Sequence, residues 1–402
     1  MKTIIDFIEK GTITSVKGFK AGAVNAGIKK KGPKPDLGIL YSETPCTATG
    51  VFTKNKIKAA PVIICQKRLP SDDIHSIIVN SGSANAVTGR QGMQDALKMT
   101  VLTANKLEIK PSSTLVASTG VIGRKLPMDI ISKGIDSIEL AENGGHDFAR
   151  AIMTTDTVSK EVAVSVNNGL FTIGGVAKGS GMIHPNMGTM LCFLTTDAVI
   201  DKDFLTDALR KAADVSFNMV SIDTDTSTND TMIIMANGLA NNERITGNSK
   251  PAEVFQEALN EVCIYLAKAV AADGEGARRL IEVNVKGALD IESARNCART
   301  IAASPLVKTA VHGCDPNWGR IVAAAGRSGA EIVELKTDLS IGGIQLLEQG
   351  IALDDNYNEV SKAMESELVV IDLNLNLGKA TATAWGCDLT AEYVSINADY
   401  TT

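Results

Sequence analysis

Gly174-Gly175-Val176-Ala177-Lys178-Gly179-Ser180-Gly181-Met182-Ile183-His184-Pro185-Asn186-Met187-Gly188-Thr189-Met190-Leu191 is the stretch on which the reading of this chain turns. Its first half holds four glycines, and its second half ends in Gly188-Thr189, opening into Met190-Leu191-Cys192-Phe193-Leu194. An apolar run of that length reads as a buried strand. A threonine hydroxyl is a weak nucleophile unless a base sits beside it. Cutting the chain just before the threonine makes its own α-amine that base. Glycine at 188 permits unusual backbone angles and leaves its carbonyl open to attack. The same residues also fit a plain loop feeding a core strand, so the choice rests on the rest of the chain.

Around this stretch the pattern is mixed α and β. Glu161-Val162-Ala163-Val164-Ser165-Val166 alternates like a strand, Asn167-Asn168-Gly169 is a hairpin turn, and Leu170-Phe171-Thr172-Ile173 is the partner that delivers the chain to the loop. Beyond Thr189 a strand runs to about Ala198. Asp201 then caps a helix with Phe204, Leu205, Ala208, Leu209, Ala212 and Val215 inside. The polar run Ser221–Asp230 lacks the glycine and terminal glutamate of an EF-hand and reads as a structural or site-lining loop. Thr231–Ala236 is a buried strand.

Upstream, residues 11–60 read as short strands and turns, with Lys29-Lys30-Lys31-Gly32-Pro33-Lys34-Pro35 a solvated turn rather than an anion site. Ile77–Asn80 is a strand emptying into the small polar run Asn80–Ala86, where a ligand loop would sit. A helix follows from Gln91 to Leu107, with Met93, Leu97, Val101 and Ala104 on one face. Leu115-Val116-Ala117-Ser118-Thr119-Gly120-Val121-Ile122-Gly123 repeats the strand-then-glycine pattern. It fits either a tight turn stabilised by hydroxyl-to-backbone bonds or an oxyanion hole made by a hydroxyl and a glycine amide. A helix is expected over Asp129–Ala151, followed by Thr154-Thr155-Asp156.

Downstream, Pro251–Ala272 is a helix ending at Asp273-Gly274-Glu275-Gly276. A carboxylate just past a helix C-terminus faces the unfavourable end of the dipole, which hints at function. Ala277–Lys286 reads as a strand, Asp290–Ala303 as a helix stopped by Pro305, Val369–Leu377 and Ala380–Trp385 as strands, and Ser395-Ile396-Asn397 as a strand end. His312-Gly313-Cys314-Asp315-Pro316-Asn317-Trp318-Gly319-Arg320 is a compact turn. Neighbours on such a loop rarely place a thiol and an imidazole correctly for catalysis.

Composition bounds the answer. The chain has 402 residues, 44% hydrophobic and 21% charged, which fits a globular protein with a large core. A net charge of −6 and an aromatic share of 4% favour neither nucleic acid nor an anionic membrane as partner. The cysteines, at 46, 65, 192, 263, 297, 314 and 387, have no metal-ligand spacing and read as buried small hydrophobes in a reducing compartment. The first ten residues carry acids within their apolar stretch and do not read as a signal peptide. No run approaches the length of a membrane helix. The expected location is cytoplasmic.

Taken together, Ala177–Leu191, Lys17-Gly18-Phe19, Gly50–Asn55, Asn80–Ala86, Ser118–Gly123, Thr154-Thr155-Asp156, Asp315–Arg320 and the C-terminal tail resemble, in order, the ornithine acetyltransferase (glutamate N-acetyltransferase, ArgJ) family of arginine biosynthesis. The family's usual residue before the threonine is alanine, where this chain has Gly188. The resemblance implies an α/β fold, a layered α/β/β/α sandwich of the N-terminal-nucleophile type shared with the aminopeptidase DmpA. It implies autoprocessing into an α chain, 1–188, and a β chain, 189–402, assembling as a heterotetramer. It makes Thr189 the nucleophile, the Thr119 hydroxyl and Gly120 amide the oxyanion hole, and Thr154, Lys178, Thr189, Glu275, Asn397 and Thr402 the substrate pocket. By charge, Lys178 suits a substrate carboxylate and Glu275 an ammonium. The implied reaction moves acetyl from N-acetylornithine to glutamate through acetyl-Thr189, with no metal or organic cofactor. Whether acetyl-CoA is a second donor stays open at this level. So do two rival readings, a DmpA-like aminopeptidase or amidase and a binding protein that uses the glycine loops as a cradle.

Overall fold

The computed structural model describes residues 3–29, 32, 34–184, 190–353 and 356–399. They form two compact units, one drawn from 3–179, 190–213 and 226–266, the other from 180–184, 214–225 and 267–399.

The first unit is built on a sheet of nine strands among the described residues: β1 (Ile5–Phe7), β2 (Phe19–Val24), β3 (Leu37–Phe52), β4 (Ser71–Ser83), β5 (Thr114–Val121), β6 (Lys160–Val166), β7 (Phe171–Lys178), β8 (Leu191–Thr196) and β9 (Thr231–Ala236). Their order is β1-β6-β7-β8-β9-β3-β4-β5, with β2 paired to β3. The β8–β9 and β4–β5 pairs are parallel and the others antiparallel. The helices are α1 (Ala60–Arg68), α2 (Gly89–Leu107), α3 (Met128–Ser137), α4 (Gly145–Ala151), α5 (Lys202–Val215) and the start of α6 (Lys250–Ala272).

All six residues of β8 are buried, because both faces of the sheet are covered there. On one face Phe193 meets Phe148 of α4, with ring centroids 5.7 Å apart. On the other, Gly175 of β7 lies beside Leu194 and lets α6 approach. A Cβ at Gly175 would fall 2.7 Å from Leu194 Cδ2 and 2.9 Å from Leu266 Cδ1. The expected layered α/β pattern with many antiparallel strands is therefore present in this unit.

The second unit carries a six-stranded sheet among the described residues: β10 (Leu280–Ala288), β11 (Asp338–Ile341), β12 (Ile344–Glu348), β13 (Ile351–Ala352), β14 (Leu368–Asn374) and β15 (Ala380–Cys387), in the order β13-β12-β11-β14-β10-β15. Its helices are α7 (Ile291–Ala302), α8 (Pro305–His312), α9 (Trp318–Gly326), α10 (Tyr357–Ala363) and α11 (Ala391–Ala398). Asp290 caps α7, its side chain accepting the Ser293 amide at 2.7 Å.

Four sequence expectations are corrected. Residues 11–60 contain, beside the short β2, one long strand, β3, whose register shifts between Tyr41 and Cys46 keep it paired across its polar middle. The helix expected over Asp129–Ala151 is two helices, α3 and α4. Between them Ala141 bridges to Ala21, and Gly144 passes so close that a Cβ would lie 1.8 Å from the Ala21 carbonyl oxygen. In α2 the buried side is Ala96, Met99, Thr103 and Ala104, while Leu97 and Val101 are exposed. Ser395-Ile396-Asn397 is helical: Thr390 caps α11 by accepting the Tyr393 amide, a local signal that outweighs the β-branched residues beyond it.

The seven cysteines are free, six of them buried and Cys314 half-buried. Among the described residues no helix is long and apolar enough to cross a membrane, and no group of His, Cys, Asp and Glu is arranged to hold a metal.

Candidate active site

β4 and β5 end side by side, with Ser81 opposite Thr119 and Gly82 opposite Gly120. Gly120 has φ +124°, and a Cβ there would lie 2.5 Å from the Gly82 carbonyl carbon, so this position requires glycine. Asn229 holds the strand end, its amide donating to the carbonyls of Ser118 at 2.8 Å and Ala84 at 2.6 Å. Ser118 Oγ donates to Asn80 Oδ1 at 2.6 Å. The run that reads as either a turn or an oxyanion hole is thus a strand end braced by side-chain amides, with Thr119 buried on it.

Lys178 ends β7 and is only 3% exposed. Its ammonium donates to Thr154 Oγ1 at 2.7 Å and to Thr119 Oγ1 at 3.4 Å. A hydroxyl that accepts from an ammonium keeps its own proton to donate elsewhere. Lys178 therefore turns both threonines into donors, which suits a developing oxyanion.

Asp156 holds this cluster together. Its Oδ1 accepts from Lys160 Nζ at 2.7 Å and from the Gly179 amide at 2.6 Å; its Oδ2 accepts the Thr154 amide at 2.9 Å and lies 4.0 Å from Lys178 Nζ. Burial alone would raise this carboxyl. The charges of Lys178 and Lys160, with the hydrogen bonds, overcome that and hold it well below the usual carboxylate range.

Asp230, fully buried, precedes β9 and accepts the Met190 amide on Oδ1 at 3.0 Å. Its Oδ2 has no hydrogen-bond partner among the described residues. Burial pushes this carboxyl well above the usual range, against the Met190 amide, Thr53 and the charge of Lys178.

The second unit holds another cluster. Glu275 follows α6, and its amide donates to the Ser180 carbonyl at 2.8 Å. The glycines around it have steric reasons. A Cβ at Gly181 would lie 2.6 Å from the Glu275 carboxyl carbon, and one at Gly276 (φ +71°) would lie 2.7 Å from the Tyr393 amide nitrogen. Asn397 on α11 donates from Nδ2 to Glu275 Oε2 at 2.8 Å. Burial, then the charges of Asp223 and Glu275, push the Tyr393 hydroxyl up to about 12.

The structure thus brings Thr119, Gly120, Thr154 and Lys178 together in the first unit, and Glu275 and Asn397 together in the second. The junction Gly188-Thr189 and the terminal Thr402 lie outside the described residues. Sequence reasoning gave no role to Asp156 or Asp230. Asp156 was visible only as the end of a hydroxyl-rich motif, and Asp230 as the last acid before a wholly apolar strand. Cys314 and His312 do not pair: His312 Nδ1 lies 3.1 Å from Asp388 Oδ2, and the Cys314 thiol points to the Met364 carbonyl at 3.6 Å.

The sequence model of the ArgJ family matches residues 20–402. An arginine biosynthesis bifunctional protein ArgJ from Dehalococcoides mccartyi is 56% identical over 100% of both chains. A protein of the same name from Oceanobacillus iheyensis is 48% identical over 99% of this chain and 98% of its own. The crystal structure of the arginine biosynthesis bifunctional protein from Bacillus halodurans superposes with a TM-score of 0.50 at 44% identity, covering 51% of this chain and 97% of that one. The mixed sheets and this kinship bear out the expected α/β sandwich class. The chain belongs to the ArgJ family.

Proposed function

We propose that this chain is an acetyltransferase of arginine biosynthesis that cuts itself between Gly188 and Thr189 and carries the acetyl group on Thr189. The observation that carries the reading is the donation of one buried ammonium, Lys178, to both Thr119 and Thr154. In the first half-reaction Thr189 Oγ attacks the acetyl carbonyl of N-acetylornithine and its α-amine takes the hydroxyl proton. The Thr119 hydroxyl and Gly120 amide receive the oxyanion. The C–N bond then breaks, the proton passes to the departing amine, and ornithine leaves an acetyl ester on Thr189. In the second half-reaction the glutamate amine attacks that ester, and N-acetylglutamate leaves with Thr189 restored. Lys178 and Thr154 bind the substrate carboxylate, and Glu275, Asn397 and Thr402 the remainder of the substrate. The chemistry needs no metal or organic cofactor.

The α chain, 1–188, and β chain, 189–402, are a covalent division and do not follow the two compact units. β7 and β8 lie on either side of the cut yet pair antiparallel, Lys178 opposite Leu191, so their ladder holds the pieces together after cleavage. A crystallised relative whose chain matches almost whole while spanning half of this one supports a two-chain enzyme. The enzyme is a cytoplasmic heterotetramer of two α and two β chains in this reading. The curated relatives are named bifunctional. The second activity we assign here is acetyl transfer from acetyl-CoA to the same acceptor.

The test is direct. Purified protein gives two polypeptides, the second beginning at Thr189, and converts N-acetylornithine plus glutamate to N-acetylglutamate. Thr189→Ala stays whole and inactive. Release of free acetate in place of N-acetylglutamate would make the chain a hydrolase instead, and efficient cutting of Thr189→Ala would remove Thr189 as the internal nucleophile.

A further inference from the structure

We propose that Lys29 determines acceptor specificity: its ammonium receives the side-chain carboxylate of glutamate in the second half-reaction. The proposal rests on the acetyl transfer to glutamate proposed above.

Lys29 opens the run that reads as a solvated turn, yet the structure holds it half-buried and pinned. The pin is Asp36, which is fully buried and whose carboxylate accepts four successive amides. Ala26 donates to Oδ1 at 2.7 Å; Gly27, Ile28 and Lys29 donate to Oδ2 at 3.2, 2.6 and 2.9 Å. The Asp36 carbonyl in turn accepts the Ser81 amide at 2.9 Å, and Ser81 is the ladder partner of Thr119. The Lys29 backbone is therefore tied to the strand end that carries the proposed oxyanion donors.

The side chain follows the same direction. A Cβ on Gly82 would lie 3.2 Å from Lys29 Cγ, so the lysine stem covers Gly82, whose ladder partner is Gly120. The absence of a side chain at Gly82, with φ +106°, is what lets the stem lie there.

The head group has little to hold it. Nζ donates to the Pro35 carbonyl at 3.2 Å, and among the described residues no acid forms an ion pair with it. Asp36 is taken up by amides. Lys160 and Lys178 differ, since both sit on Asp156. Burial pulls the Lys29 ammonium down to about 8, against Asp36 and Asp156, while Lys178 and Lys34 push in the same direction as burial.

This is the ammonium the reaction requires. The donor and acceptor share an α-carboxylate, but their side chains end in opposite charges, an ammonium on N-acetylornithine and a carboxylate on glutamate. Glu275 suits the first by charge, and a site without a cation would leave the second unpaired. A half-buried lysine that gives up its proton readily tolerates the ammonium and pairs with the carboxylate.

The experiment uses full-length processed enzyme, with Lys29→Met and Lys29→Arg beside the wild type. Glutamate is compared with glutamine, its uncharged counterpart, as acceptor. In Lys29→Met the glutamate-to-glutamine ratio of kcat/KM falls by about 10- to 100-fold, the loss expected for one charge-assisted hydrogen bond. The fall in kcat/KM for N-acetylornithine is much smaller, and Lys29→Arg keeps most of the ratio. In the wild type the ratio, taken relative to that of Lys29→Met, also declines above about pH 8, as the ammonium of Lys29 deprotonates. Dividing by the Lys29→Met ratio at each pH cancels the pH dependence of the two acceptor amines. An unchanged ratio, or equal losses for donor and acceptor, overturns the role of Lys29 and leaves the acetyl transfer standing. A wild type that transfers no acetyl group overturns both.

Discussion

Asp230 Oδ1 accepts the Met190 amide at 3.0 Å, one residue beyond the proposed cut, from a carboxyl with no exposed surface. Burial raises this acid, so the folded state favours its neutral form. Stability is then lost as pH rises above the ordinary carboxylate range of about 4. Asp230→Asn keeps an acceptor for Met190 and removes the titration. Relative to wild type, the variant should gain stability between pH 5 and pH 8, read from urea midpoints. A gap that is the same at both pH values would show that Asp230 does not titrate in this way.

Asp156 has the opposite sign. It is held well below the usual range, so its contribution is present above about pH 4 and lost as pH falls through its folded value. Asp156→Asn leaves the buried Lys160 and Lys178 without their shared anion. The expected cost is about 3–5 kcal/mol near neutral pH, shrinking as pH falls below about 4, where the unfolded wild type takes up a proton that the folded one does not. A denaturation series from pH 3 to pH 7 checks it; a cost that does not change with pH would refute the ion-pair account.

Thr119→Ala removes one donor from the proposed oxyanion hole. Loss of such a donor typically costs about 10²–10³ in kcat. Self-cleavage passes through a similar oxyanion, so processing should slow as well, and Thr119→Ser should recover much of both rates. Should kcat and processing stay within a fewfold of wild type, the hole lies elsewhere.

Asn397 donates to Glu275 from the last turn of α11. Asn397→Ala removes that hydrogen bond, with an expected rise of about tenfold in KM for N-acetylornithine, while self-cleavage proceeds normally. Deleting residues 398–402 should also raise the ratio of acetate to N-acetylglutamate, because the chain end would no longer help keep water from the acetyl ester. If KM and product ratio both hold, the tail is an ordinary chain end.

Local pattern alone determined much of this protein. The Asn167-Asn168-Gly169 hairpin takes positive φ at all three residues, Asp290 caps α7, and the apolar run after Met190 forms the buried β8. Each depends on neighbours a few residues away, so it is written locally. The family was legible too, because its motifs are short runs in fixed order. What the sequence alone could not decide are the long-range matters. The break between α3 and α4 depends on Ala21, more than a hundred residues upstream. The buried side of α2 depends on which elements pack against it. The bracing of Ser118–Gly123 as a strand end depends on Asn229 arriving from the start of β9, and the partner of the Thr119 hydroxyl on Lys178 arriving from β7. Lys29 reads as one of several exposed lysines until Asp36 gathers four amides and turns it inward. Burial, charge compensation and the state of a titrating group are properties of what surrounds a residue, and only the tertiary structure supplies those surroundings.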